Sequence, residues 1–75
     1  MRKLSEIAAE IRADWKNVSI YARPYLDAMA SLSTCNENYH ADTARGVVLY
    51  FLSNAGSWRG EVARRVKKEL KDMTA

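Results

Sequence analysis

The one thiol and the one imidazole of this 75-residue chain, Cys35 and His40, fall in a single polar stretch, residues 33–42, STCNENYHAD, with Asp42 at its end. A Cys–His pair can generate a thiolate nucleophile, but only with burial, an orienting partner and an oxyanion site. The sequence supplies none of these signals. A metal centre would need more ligands at better spacing, and there is no second Cys or His anywhere. No Gly-rich phosphate loop or paired-carboxylate motif occurs either. The stretch therefore reads as a surface loop with a free thiol. The chain is expected to be no enzyme and to carry no metal or cofactor.

The other chemistry-bearing residues are cations. Residues 1–56 carry six basic and six acidic side chains, whereas residues 57–75 carry six basic against three acidic, so the net charge of +3 belongs to the last stretch. Turning 100° per residue from Trp58, the side chains of Trp58, Val62, Val66, Leu70 and Met73 fall within an arc of about 120°. Arg64, Lys67, Lys68 and Lys71 fall on a separate arc, with Glu61 and Asp72 at its border. The last helix is thus expected to have a core side and a cationic side. Arg59, Arg64, Lys67, Lys68 and Lys71 are the candidate residues for binding nucleic acid or a protein partner. The plain alternative is a solvated basic face.

Three further segments must position that helix. Val47, Val48, Phe51, Leu52 and Ala55 form an apolar helical stripe, and Leu49 and Tyr50 widen it, so this third helix should be central. Asp42 is placed to cap it, with the helix starting at Thr43. Gly46 inside it reads as a close helix approach. Gly56 is expected to close it in the left-handed conformation, with Ser57 capping the last helix. Leu4, Ile7, Ala8, Ile11 and Trp15 mark a first helix over roughly residues 3–15. Its Glu6, Glu10 and Asp14 make an acidic ridge. That ridge reads first as solvated; the other reading has it neutralise part of the basic last helix. Pro24, Tyr25, Leu26, Met29 and Leu32 mark a short second helix, about residues 23–32.

The expected fold is all-α: one domain over residues 1–75, a small orthogonal bundle of three to four helices, without β-sheet, ending in a helix-turn-helix-like hairpin. The expected core includes Ile7, Ile11, Trp15, Leu26, Met29, Val48, Phe51, Leu52, Val62, Val66 and Leu70. A chain of this length buries only about 60% of its unfolded surface, which makes oligomerisation a plausible support. The single Cys35 allows no intrachain disulfide and points to a reducing compartment. No apolar run approaches the roughly 18 residues of a membrane span. A cytoplasmic location is expected.

The segments SEIAAEIRADWKNV, ARPYLDAM and VVLYFLSNAGSWRGEVARRVKKELKDM resemble a group of short uncharacterised proteins encoded by bacteriophages and integrative elements of Gram-positive bacteria. The resemblance covers most of the chain outside residues 33–42. It implies a mobile-element protein and carries no activity or catalytic residues.

Two functions follow as expectations. One is a protein-interaction module, a modulator or inhibitor of a host protein or a binder of an element-encoded one, with a homodimer among its forms. Trp58, Tyr21, Tyr25, Tyr39 and Tyr50 would be its anchors, unless they are simply core, as Trp58 reads. The alternative is a helix-turn-helix-like nucleic-acid-binding protein, with Ser57, Trp58 and Arg59 opening the recognition helix and the basic arc on phosphates.

Overall fold

A computed structural model describes residues 2–39 and 42–75, the side chain of Tyr39 excepted. His40 lies outside the described residues. The elements are α1 (Leu4–Asp14), α2 (Arg23–Met29), β1 (Asn38–Tyr39), β2 (Asp42–Thr43), α3 (Ala44–Ser53) and α4 (Glu61–Thr74). The all-α reading holds, in a globule of 30 × 25 × 18 Å. Helix α3 packs on α2 and α4, and α1 packs on the same two helices. The expectation of no β-pairing needs one correction. Asn38 pairs antiparallel with Thr43 and Tyr39 with Asp42, a two-residue bridge inside the polar stretch.

Each helix boundary has a local cause. At the start of α1, the orphan N–H groups of Leu4 and Ser5 donate to the Ser33 and Leu32 carbonyls, at 2.9 Å each. Glu6 accepts from the Lys3 N–H at 2.9 Å, so Ser5 lies inside the helix and not at its cap. The loop after α2 is thereby tied to the head of α1. It is also tied to itself, because the Glu37 carboxylate accepts the Ser33 N–H at 2.6 Å. Helix α2 stops at Met29, short of the expected residue 32, since Ser31 and Leu32 donate three residues back, to Ala28 and Met29.

Helix α3 starts one residue later than expected. Thr43 is its cap, with Oγ1 accepting from the Gly46 N–H at 3.0 Å, in place of Asp42. That contact also corrects the reading of Gly46: a Cβ there would meet Thr43 Oγ1 at 3.2 Å, not a neighbouring helix. The far end is closed by side chains. Asn54 Nδ2 donates to the Tyr50 carbonyl at 2.8 Å and Ser53 Oγ to that of Leu49 at 3.1 Å. The left-handed glycine is Gly60, with φ 113°, and not Gly56. Gly60 is also the N-cap of α4, so residues 54–60 form a seven-residue connection and Ser57 caps nothing.

The core runs through all four helices. Ile7, Ile11, Trp15, Leu26, Met29, Val48, Phe51, Val66 and Leu70 are buried as expected, while Leu52 and Val62 are half-buried at its edge. On α4 the inward face is Ala63, Val66, Leu70 and Thr74, rotated from the expected stripe towards the small residues. The Thr74 hydroxyl is satisfied by the Lys71 carbonyl at 3.0 Å.

Candidate functional site

The polar stretch places Cys35 beside a concavity of about 250 Å³ lined by Arg2, Lys3, Ser33, Thr34, Asn36 and Met73. The thiol is half-buried, and burial pushes its pKa up more than the nearby Arg45 lowers it. A thiol held in its neutral form is a weak nucleophile. Its expected partner His40 is outside the described residues. Among the described residues, no three His, Cys, Asp or Glu side chains gather as a metal cluster.

Trp58 sits at the centre of the connection between α3 and α4. It is 2% exposed and lies ahead of α4, not within it. Its Nε1–H donates to Asp14 Oδ2 at 2.8 Å. Its ring stacks on Trp15, which meets Phe51 edge-on at 6.2 Å. Trp58 is therefore core, and it does not open a recognition helix. The connection is also longer than the three to four residues of a helix-turn-helix turn. Residue spacing alone did not reveal this, because stepping back from Val62 by four lands on Trp58 whether or not the helix extends that far.

The five candidate cations divide into different roles. Lys68 is paired with Asp72 at 3.1 Å, one turn on, and both are exposed. Lys67 is half-buried and donates to the Trp58 carbonyl at 2.7 Å, with its ammonium 5.9 Å from the centre of the Trp58 ring. Burial lowers the Lys67 pKa first, and the neighbouring charges of Lys71 and Arg59 lower it further. Arg59, Arg64 and Lys71 are exposed and, among the described residues, have no acidic partner. Trp58, Arg59, Gly60, Ala63, Arg64 and Lys67 line an open concavity of about 280 Å³.

The acidic ridge is only partly solvated. Glu10 accepts from Arg65 on α4 and stands 2.7 Å from Arg2 Nη1. Arg2 also grips Glu69 with two hydrogen bonds, 3.1 Å from Nε and 2.5 Å from Nη2. The reading that the ridge neutralises part of α4 is therefore the correct one at Glu10, and Asp14 is held by the indole. Both Glu10 and Glu69 are shifted below the ordinary carboxylate range. For Glu10 the main cause is Arg65 and then Arg2; for Glu69 it is Arg2. The Arg2 guanidinium is shifted up by Glu69 and Glu10. Composition could not show this network, because it joins residues 2, 10, 65 and 69 across the fold.

The aromatic candidates also separate. Tyr21 and Tyr50 are 70% and 53% exposed, as are their neighbours Ile20 at 67% and Leu49 at 45%. Tyr25 is half-buried and stacks on Tyr50, ring centroids 5.5 Å apart, which joins α2 to α3 at the surface.

Fold and surface together define a small all-α globule with cations at the entry to and along α4 that are unpaired among the described residues, and with aromatic side chains exposed before α2 and on α3. Comparison of the chain with protein-family models, with curated proteins and with solved structures returns no match. No helix among the described residues is long and apolar enough to cross a membrane.

Proposed function

We propose that this protein is a small interaction module that docks onto a protein partner through the aromatic side chains exposed in the turn before α2 and on α3. The observation that carries the reading is the exposure of Ile20 and Tyr21, in the turn before α2, and of Leu49 and Tyr50, on α3, while the other large apolar side chains among the described residues are buried or half-buried. Tyrosine offers a large, rigid contact area with a polar tip, which suits it to an interface that is also wet when empty. Tyr25, fixed under Tyr50, preorganises that surface.

The resemblance to short phage and integrative-element proteins suggests a cytoplasmic setting and a host or element-encoded target whose activity the module modulates or inhibits. A homodimer through the same face is the self-associating form.

The double variant Tyr21→Ser/Tyr50→Ser tests this. It should stay folded, since both rings are exposed, and lose capture of the partner at least tenfold, the scale of an aromatic hot spot. Light scattering on the purified chain reads the homodimeric form. A folded double variant that captures and self-associates like the wild type removes the aromatic face from the function.

A further inference from the structure

We infer that the four cations Arg59, Arg64, Lys67 and Lys71 form a phosphate-contacting row that takes the backbone of a nucleic-acid duplex without reading its bases. The row stands on a different part of the molecule from the aromatic face and does not depend on the docking reading.

Three features carry it. First, like charges are concentrated without ion pairs among the described residues. Elsewhere the cations of α1 and α4 are paired, Arg12 with Asp27, Arg65 with Glu10 and Lys68 with Asp72. Arg59, Arg64 and Lys71 have no such partner among the described residues, and Lys67 spends one proton on the Trp58 carbonyl and keeps two free. Second, the row has a shape. Arg59, Arg64 and Lys67 share the walls of the concavity beside Gly60 and Ala63. Lys71 continues the line one turn beyond Lys67, and the span from Arg64 to Lys71 is about 10 Å along the helix. A row of that length faces more than one phosphate of a strand. Third, the surroundings select the duplex backbone over bases. The one aromatic ring at the site, Trp58, is buried, so no stacking platform is offered to unpaired bases. Glu61, exposed in the first turn of α4, puts a negative charge where a helix inserted into the groove would meet the duplex.

Binding of a labelled mixed-sequence DNA duplex, followed by anisotropy from about 20 mM salt upward, should give a log–log salt slope of about −3 to −4 for three to four phosphate contacts. Arg64→Gln/Lys71→Gln should weaken binding for every sequence and flatten the slope by about two. Arg23→Gln/Arg45→Gln, which removes the same charge from α2 and the head of α3, should leave the slope unchanged. The aromatic variant Tyr21→Ser/Tyr50→Ser should bind the duplex as the wild type does, so the two readings fail separately. The inference is overturned by no binding at low salt, by binding indifferent to Arg64→Gln/Lys71→Gln, by a preference for the single strand, or by a site that responds to inorganic phosphate and not to the duplex.

Discussion

The indole of Trp58 lies flat on that of Trp15, ring centroids 5.8 Å apart and planes 10° from parallel. One ring comes from the end of α1 and the other from the connection before α4, so the stack locks the end of α1 to the entry of α4. Lys67 grips the Trp58 carbonyl and Asp14 its Nε1–H, which fixes the indole from both sides. Trp58→Ala should therefore cost about 3–5 kcal/mol. That approaches the whole stability of a domain this small. Trp58→Phe keeps most of the packing and loses the bond to an exposed carboxylate, about 1 kcal/mol. Urea unfolding checks both, and near-equal midpoints for the two variants would show that the stack is not what holds the connection.

Phe51 is fully buried on the helix that packs on both α2 and α4, while Leu49, two residues earlier, is 45% exposed. Phe51→Ala should cost about 3–5 kcal/mol. Leu49→Ala should stay within about 0.5 kcal/mol, as surface changes do. Thermal melting of the pair reads the contrast, and near-wild-type melting of Phe51→Ala would show that α3 is not central.

Gly60 and Gly56 should respond oppositely to alanine. At Gly60, φ of 113° is a backbone conformation that an L side chain rarely adopts. Gly60→Ala is expected to cost about 1–3 kcal/mol. Gly56 has no positive φ and open space where a Cβ would stand. Gly56→Ala should be neutral or stabilising by up to about 1 kcal/mol through the unfolded chain. Equal losses at both positions would contradict the assignment of Gly60 as the special residue.

The Arg2–Glu10–Arg65–Glu69 network predicts an acid-side pH dependence. Glu10 and Glu69 have folded pKa values below the unfolded carboxylate value, which is about 4.3 for Glu. Their stabilisation is fully present above that value and is lost as pH falls through the folded pKa values. Melting temperature should be flat between about pH 7 and pH 5 and drop below about pH 4. Glu10→Gln and Glu69→Gln should each cost at most about 1 kcal/mol near neutral pH, as part-exposed pairs do. Both should shallow the acid-side drop. A variant that melts with the wild-type pH profile would show that its pair is not coupled to folding.

The helices were legible because α1 and α3 bury strict apolar stripes: Ile7, Ile11, Val48 and Phe51 all face inward as their spacing requires. The entry to α4 was not legible. Trp58 has helical spacing from Val62, and the positive φ of Gly60 that separates them leaves no periodic trace. The basic arc was visible as a charge imbalance, but pairing decides what it can do. Lys68 is neutralised locally and Lys67 is turned partly inward, so the free cations are fewer than the arc suggested. The tyrosines could be read equally as core or surface, and only their exposure in the folded chain separates Tyr21 and Tyr50 from Trp58.

Site-specific photocrosslinking tests the docking role of the aromatic face most directly. A benzophenone amino acid in place of Tyr50, with the exposed Glu6 of α1 as the control position, would be irradiated in cells that carry the protein. A discrete adduct from position 50, absent from position 6, is the expected result, and its mass separates a second copy of the chain from a different protein. No adduct at position 50, or the same adducts from both positions, would contradict a protein-docking surface in the turn before α2 and on α3.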